Sequence, residues 1–258
     1  MYIIIYAIIF IVGAVIGSFL NVLIFRLPRK INFVHGFSYC PTCEHRLYPK
    51  DLVPIASYLF LGRKCRYCKE PISPRYMIVE ISGGLLAVLS GLAYLPPTAF
   101  ASGSPYMAII VFAAFSVLLT IAVIDADTME IPDSLNIAIL VCGIAAIWLA
   151  PDVSIVTRII GLFAVSVPLF IIALFVGGAF GMGDIKLMAA AGFLLGWKCA
   201  LVALFVGIII GGVQGVLLLA RRKKGRKDHF AFGPALCVGI AVGLLAGERL
   251  IGWYLAFF

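Results

Sequence analysis

The sequence predicts an all-α membrane protein with about eight transmembrane helices and a small cytoplasmic four-cysteine metal-binding loop domain after the first helix. Of its 258 residues, 63% are hydrophobic and only 12% are charged, and the mean hydropathy is +1.13. Apolar runs of roughly 20 residues, the length of a helical span, recur along the chain. Because backbone N–H and C=O groups in lipid must be satisfied within the chain, these runs should be helices.

Eight apolar segments are expected to form the spans. The first has no basic n-region and no small-residue cleavage site, so we expect a retained span and not a removable signal peptide. Only Gly196, Trp197 and Lys198 separate the sixth segment from the seventh. The segments cover about 2–25, 76–95, 105–124, 134–150, 156–178, 185–198, 199–220 and 231–257.

The distribution of basic residues orients these spans. Ten of the twenty Lys and Arg residues lie in Arg26–Arg75, and a second basic run, RRKKGRK, occupies Arg221–Lys227. Between apolar spans, such clusters indicate cytoplasmic loops and not a nucleic-acid surface. Eight spans with both termini outside satisfy this rule. The predicted organisation is a first helix at 1–25, a cytoplasmic loop domain at 26–75 and a helical membrane core at 76–258.

Two CxxC pairs in the cytoplasmic loop predict a metal site. Four thiolates on two tight turns match the tetrahedral coordination of Zn²⁺, although iron has similar ligands. A cytoplasmic location argues against disulfides. A closed four-thiolate site leaves no open coordination position, so the metal should stabilise the loop and take no part in chemistry. The alternative is a set of redox-active or free thiols. The four ligands are Cys40, Cys43, Cys65 and Cys68.

Two acidic residues border apolar runs at the same predicted membrane face. Asp125 directly follows SVLLTIAVI, and Asp184 ends the GMGD motif before another apolar run. Acids in membrane segments are costly and usually functional. Two carboxylates in one site cannot easily both ionise, so one could take a proton from water while the other donates a proton to a carbonyl. The alternatives are a helix cap at Asp184, and a cation pathway or proton relay through the pair.

The residues around Asp184 are candidates for substrate contact. Gly181 and Gly183 lack side chains, permit unusual backbone angles and could let an extended peptide approach. A simple loop turn is the alternative. Lys186 could neutralise part of the carboxylate charge or extend towards lipid headgroups.

In their order along the chain, several motifs resemble the type IV prepilin peptidase family. The resemblance covers nearly the whole chain and implies a GxGD-type membrane aspartyl protease with Asp125 and Asp184 as the catalytic pair. It also implies a bacterial inner membrane location and prepilin or pseudopilin substrates, whose basic leader is removed at the cytoplasmic face. The motifs are the two CxxC pairs, GSFLNVLIFRLP (Gly17–Pro28), RYMIVEISGGLL (Arg75–Leu86), IDADTMEIPDSL (Ile124–Leu135) and GMGDIKLMA (Gly181–Ala189).

The resemblance further implies that the new N-terminal residue is methylated from S-adenosylmethionine. The sequence contains no GxGxxG motif, so this activity follows from the resemblance alone. Family members without the cysteine loop are taken to cleave without methylating, and this chain has the loop. Glu80 is a candidate for binding the methyl donor, or alternatively for a helix-end ion pair with Arg75. Asn21 could form an interhelical hydrogen bond and Arg26 could anchor the topology. The competing functions are a membrane transporter or ion pathway, and a non-enzymatic assembly protein.

Overall fold

Every regular element of the described chain is helical. The computed structural model describes residues 2–97, 103–149, 153–176, 180–220 and 231–257, so the basic run Arg221–Lys227 lies outside the described residues. A 3₁₀ helix covers Pro49–Asp51. The α-helices are α1 (Tyr2–Arg26), α2 (Ala56–Phe60), α3 (Pro74–Tyr94), α4 (Pro105–Thr128), α5 (Asp133–Leu149), α6 (Ile155–Ala164), α7 (Ser166–Phe175), α8 (Met182–Leu195), α9 (Trp197–Ala220) and α10 (Gly233–Leu255).

Each of the eight predicted segments corresponds to one of these helices or helix pairs. In the described chain, α1, α3, α4, α9, α10 and the α6–α7 pair are long and apolar enough to cross a membrane. Helices α5 and α8 are shorter, with 17 and 14 residues. The predicted all-α membrane class is therefore confirmed. The chain forms two compact units, Met1–Phe112 and Ala113–Phe258, and the predicted division at residues 25 and 75 stays a prediction.

In the first unit, α1 and α3 pack as an antiparallel pair through small residues. A Cβ atom on Gly13 would lie 2.6 Å from the Gly83 carbonyl oxygen, so a larger residue would push the helices apart. Close backbone approach of this kind is how helices associate in lipid. Asn21 Nδ2 of α1 donates to the Tyr76 carbonyl oxygen of α3 at 3.1 Å, which confirms the expected interhelical hydrogen bond.

In the second unit, the short helix α8 is the centre of the packing. It contacts α5, α6, α7, α9 and α10. Its contact with α6 is especially close, because a Cβ atom on Gly192 would lie 2.1 Å from the Gly161 carbonyl oxygen. The buried residues of α8 include Asp184 at its start and Leu195 at its end. The packing of α8 against its neighbours therefore fixes where Asp184 lies.

Two residues interrupt the helices of the second unit. Gly196 has φ +78° and separates α8 from α9, which confirms the predicted boundary between the sixth and seventh segments. Glycine adopts this left-handed conformation without steric cost. Between α6 and α7 the helix is broken at Val165. Pro168 has no N–H to bond the Ala164 carbonyl, and its ring crowds that carbonyl, so the break follows from the proline.

The acidic stretch after Asp125 is more helical than predicted. The third predicted segment ends at residue 124, but α4 continues to Thr128 and so includes Asp127. Asp133 begins α5 and lies in its first turn, where a carboxylate interacts favourably with the helix dipole. Only residues 129–132 connect the two helices, and Met129 turns the chain there with φ +56°.

Candidate active site and metal centre

Asp125 lies in the last turn of α4, and its side chain is held by the start of α10. The residue is 5% exposed, and its Oδ2 atom accepts a hydrogen bond from the Gly233 N–H at 2.9 Å. The first N–H groups of a helix have no partner within the helix and carry partial positive charge. The start of α10 therefore offsets part of the cost of burying a charged carboxylate at Asp125.

Gly233 allows this contact because it has no side chain. A Cβ atom at that position would lie 2.6 Å from Asp125 Oδ2. The sequence reasoning missed Gly233. The Phe232-Gly233-Pro234 triplet is a helix-start signal, since proline favours the first turn of a helix. Combined with the predicted topology, this signal could have placed a helix N-terminus at the membrane face of Asp125.

Asp184 lies in the first turn of α8 and is 8% exposed. Its Oδ2 atom accepts a hydrogen bond from the Gly181 N–H at 3.2 Å, so the expected helix-capping role is met by one oxygen. Its other oxygen, Oδ1, is buried and has no hydrogen-bond partner among the described residues. A buried carboxylate oxygen without a donor is costly, and its retention is better explained by a functional role than by capping.

The structure brings Asp125 and Asp184 into one site of the second unit. The two carboxyls lie within range of a direct Coulomb interaction. Cys237 lies one turn after the start of α10, and its thiol is close enough to both carboxyls to interact with them electrostatically. The aromatic rings of Phe180 and Phe232 contact each other with centroids 5.7 Å apart, which joins the GMGD segment to the start of α10. Fifty-nine positions separate the two acids in sequence, yet the fold places them together.

The glycines of the GMGD motif serve packing within the chain. Gly181 has φ −71° and ψ 146°, ordinary extended angles, so the expectation of an unusual backbone does not hold there. Its N–H bonds Asp184, and its carbonyl oxygen accepts hydrogen bonds from the N–H groups of Asp184 and Ile185. A Cβ atom on Gly183 would lie 2.9 Å from Ile131 Cβ. Both the N–H and the carbonyl oxygen of Gly181 are therefore already hydrogen-bonded within the segment, so they are not available to pair with an extended substrate strand.

Lys186 forms an ion pair with Asp133 rather than with Asp184. Its Nζ atom donates to both carboxylate oxygens of Asp133, at 2.8 and 3.0 Å. Both side chains are largely exposed, at 49% and 66%. An exposed pair of this kind contributes at most about 1 kcal/mol to stability. Its main effect is on the local charge beside α8.

The four cysteines of the loop form one cluster, as predicted. Their sulfur atoms all lie within 4.8 Å of one another, and Cys40 Sγ is 3.8 Å from Cys68 Sγ. Four sulfur atoms placed at about 2.3 Å from a central Zn²⁺ in a tetrahedron lie about 3.8 Å from one another, so the donor set fits a tetrahedral metal. The two CxxC turns have a similar backbone geometry: in each, the residue that follows the second cysteine of the pair has a positive φ. These residues are Glu44, with φ 56°, and Lys69, with φ 64°.

Asp51 ties the second CxxC turn to the 3₁₀ helix. Its carboxylate accepts hydrogen bonds from Arg66 Nε, from the Tyr67 hydroxyl at 3.0 Å and from the Tyr48 N–H at 3.2 Å. Burial opposes the charge, but these donors outweigh burial and hold the pKa of Asp51 below its ordinary value. Because Arg66 and Tyr67 lie between Cys65 and Cys68, this carboxylate fixes the turn that carries two cysteines of the cluster.

Glu80 and Arg26 both connect a helix to the loop. Glu80 Oε2 accepts a hydrogen bond from the Ile55 N–H at 2.7 Å, and within the described chain no ion pair to Arg75 is found for it. Arg26 is 8% exposed. Its guanidinium donates to three loop carbonyl oxygens, which belong to Asn32, His35 and Phe37. Arg26 therefore organises the loop directly, which is a larger role than the expected topology anchor.

Comparison with known proteins identifies the family. The bacterial peptidase A24 N-terminal domain matches residues 11–94, and the type IV leader peptidase family matches residues 112–216. A prepilin leader peptidase/N-methyltransferase of Bacillus subtilis (strain 168) is 31% identical over 249 residues, which cover 96% of this chain and 97% of the relative. The chain belongs to the type IV leader peptidase family.

Further relatives of this leader peptidase carry the same name. The one from Aeromonas hydrophila is 30% identical and covers 98% of this chain, with 94% of its own length matched. The one from Pseudomonas aeruginosa is 29% identical over 95% of this chain and 91% of the relative. No solved structure matches the chain. The prediction of a multi-pass membrane protease with methyltransferase activity is confirmed at the level of the family, and the transporter alternative gains no support.

Proposed function

We propose that this leader peptidase removes the basic leader of prepilins and pseudopilins with Asp125 and Asp184, and methylates the new N-terminal residue from S-adenosylmethionine. The observation that carries the proposal is that two buried carboxyls, each bonded through Oδ2 to a glycine N–H, lie close enough for their charges to interact. The substrate class and both reactions follow the names of the relatives. The catalytic assignment follows from the chemistry of two acids in one site.

The surroundings of the two acids suggest different roles. Asp125 is bonded by the N–H at the start of α10, which favours its charged form, so it is suited to take a proton from the attacking water. Asp184 keeps one buried oxygen without a donor, which disfavours a full charge there. Asp184 is therefore suited to donate a proton to the carbonyl oxygen under attack. The tetrahedral intermediate then collapses and the C–N bond breaks: the leaving amine takes the proton held by Asp125, and a hydroxyl of the intermediate returns a proton to Asp184 as the new carboxyl C=O forms.

Direct roles in substrate contact are proposed for Gly181 and Lys186, and an indirect role for Gly183. Gly181 is exposed and has no side chain beside Asp184, so a peptide can approach the carboxyl there. Gly183 packs on Ile131 and so holds the turn in place. Lys186 neutralises Asp133 and thereby sets how much negative charge the site presents to a basic leader.

The remaining assignments concern location and bound groups. We place the protein in the bacterial inner membrane, with the acids and the cysteine loop on the cytoplasmic side and both termini outside. Ten cationic residues in Arg26–Arg75 support this orientation. A structural Zn²⁺ is assigned to Cys40, Cys43, Cys65 and Cys68, whose geometry suits it. S-adenosylmethionine is the proposed methyl donor, with Glu80 among its binding residues.

The test is cleavage of a purified prepilin by the Asp125→Asn and Asp184→Asn variants in detergent. Each substitution removes an acid–base group, so cleavage should fall by about 10²–10⁴-fold. Glu248→Gln is the matched control, because Glu248 is an exposed acid on α10 far from the start of that helix. All variants should keep the melting temperature of the wild type within a few degrees. Cleavage at the wild-type rate by either Asn variant would remove the proposed catalytic pair.

A further inference from the structure

The first unit contains a cavity between α1, α3 and the cysteine loop. Its volume is about 570 Å³, within the range of pockets that bind small organic molecules. Five aromatic side chains belong to its wall, namely Phe19, Phe25, Tyr39, Tyr58 and Tyr76. Apolar surface predominates, but eleven of the 25 lining residues have polar or charged side chains. Such a combination suits a ligand with a flat apolar ring and a charged end.

The charged groups of the wall favour a cationic ligand, because Asp51, Glu70 and Glu80 outnumber the two cationic residues Arg26 and Arg66. Arg66 is paired with Asp51, so the two charges cancel. Arg26 directs its N–H groups at loop carbonyl oxygens. Glu80 also lines the cavity, is 9% exposed and has no cationic partner within the described residues. A carboxylate without a counter-ion at the wall of a cavity attracts cations and repels anions.

Two features, one in the wall and one bonded to it, are costly unless they serve a ligand. Ile55, whose N–H bonds Glu80, has φ +62°, an unfavourable conformation for a β-branched residue. Asn21 lines the cavity and is 6% exposed, and its buried Oδ1 atom has no donor. Strained backbone and unsatisfied polar atoms concentrate at binding sites. Ile55 bonds the lining residue Glu80 from behind the wall, and Asn21 belongs to the lining itself.

We infer that this cavity binds the methyl donor, with Glu80 facing the cationic end of S-adenosylmethionine and the aromatic wall accepting its adenine ring. The inference rests on the proposed methyl transfer. In that reaction the amine lone pair bonds the methyl carbon, the methyl–sulfur bond breaks, the sulfonium becomes a neutral thioether, and the amine releases a proton to water. Glu80 therefore attracts the donor more strongly than its product, S-adenosylhomocysteine.

The cysteine cluster supports the same cavity. Cys40 and Cys65 belong to its lining, and both are buried. A metal bound by the four thiolates would fix the two turns and so preserve the shape of this wall. The cavity thus gives the metal-binding loop a role in methyl transfer that requires no open coordination position on the metal.

The experiment measures binding of labelled S-adenosylmethionine and S-adenosylhomocysteine to the full-length protein in detergent, by equilibrium dialysis. Glu80→Gln keeps an oxygen that can accept from the Ile55 N–H but removes the charge. We expect it to weaken donor binding by at least about tenfold and product binding much less. Glu44→Gln is the matched control, since Glu44 is an exposed acid of the same loop outside the cavity. Ser57→Trp, which fills the cavity, should abolish binding of both compounds while prepilin cleavage continues.

Photo-crosslinking of the bound donor, followed by peptide mapping, locates the site independently of activity. Crosslinks within 18–80 support the inference. If the wild type methylates cleaved pilin but crosslinks within 113–258, or if Glu80→Gln binds the donor normally, the cavity assignment is wrong while the proposed function stands. If the wild type cleaves prepilin but neither binds nor uses the donor, the proposed methyl transfer fails and the cavity assignment fails with it.

Discussion

Replacing Gly233 with alanine tests the geometry of the acid pair without removing either acid. The added Cβ atom would lie 2.6 Å from Asp125 Oδ2, whereas ordinary contacts begin at 3.4 Å, so the carboxyl must retreat by about 0.8 Å. Such a shift stretches the present 2.9 Å hydrogen bond from the Gly233 N–H beyond hydrogen-bonding distance. A displacement of about 1 Å in a catalytic group can cost about 10²-fold in rate. We therefore expect cleavage of prepilin by Gly233→Ala to fall roughly 100-fold.

The assay is the rate of leader removal from a purified prepilin, followed by the change in mass at saturating substrate. Gly252→Ala is the control, because Gly252 lies on the same helix and a Cβ atom there meets nothing within 4 Å. It should cleave normally and melt at the same temperature or slightly higher, since alanine is the better helix former. If folded Gly233→Ala cleaves like the wild type, the position of Asp125 does not matter to the chemistry, and the acid–base reasoning is refuted.

Two further predictions concern the loop and the rim of the site. Treatment with a chelator, or the substitution Cys40→Ser, should make the loop sensitive to protease. Either change should also weaken binding of S-adenosylmethionine about tenfold or more, since Cys40 and Cys65 line the cavity. A loop that stays resistant to protease would contradict this prediction. Lys186→Ala should change the free energy of unfolding by no more than about 1 kcal/mol. It frees the Asp133 carboxylate, so KM for a basic leader should fall while kcat is unchanged, and a higher KM would contradict the proposed role.

The features that could be predicted from sequence are those with a local physical rule. Lipid requires long apolar helices, so the spans follow from their length and composition alone. The four-cysteine cluster follows from two short CxxC turns. The boundary at Gly196 was predicted from a glycine and two polar or interfacial residues, and the structure gives that glycine a φ of +78°. These patterns are contained within short segments, the longest being the 29 residues from Cys40 to Cys68.

The features that could not be predicted depend on contacts between distant residues. Gly233 bonds Asp125 across 108 positions, and the local helix-start signal at Phe232-Gly233-Pro234 does not by itself identify Asp125 as the partner. Gly183 resembles a residue that opens space for a substrate, but its missing side chain makes room for Ile131. Glu80 is predicted equally well as a helix-end ion pair, and only the folded loop shows that Ile55 supplies its hydrogen bond.

The shortness of α8 has a consequence for how a substrate reaches the enzyme. With 14 residues at about 1.5 Å each, this helix extends about 21 Å, whereas the hydrocarbon layer of a bilayer is about 30 Å thick. The turn that carries Asp184 can therefore sit at the depth where acyl chains meet the headgroups, sheltered by the surrounding helices. A pilin anchored by its own apolar helix would present its cleavage site at that depth by lateral diffusion, without being extracted from the membrane.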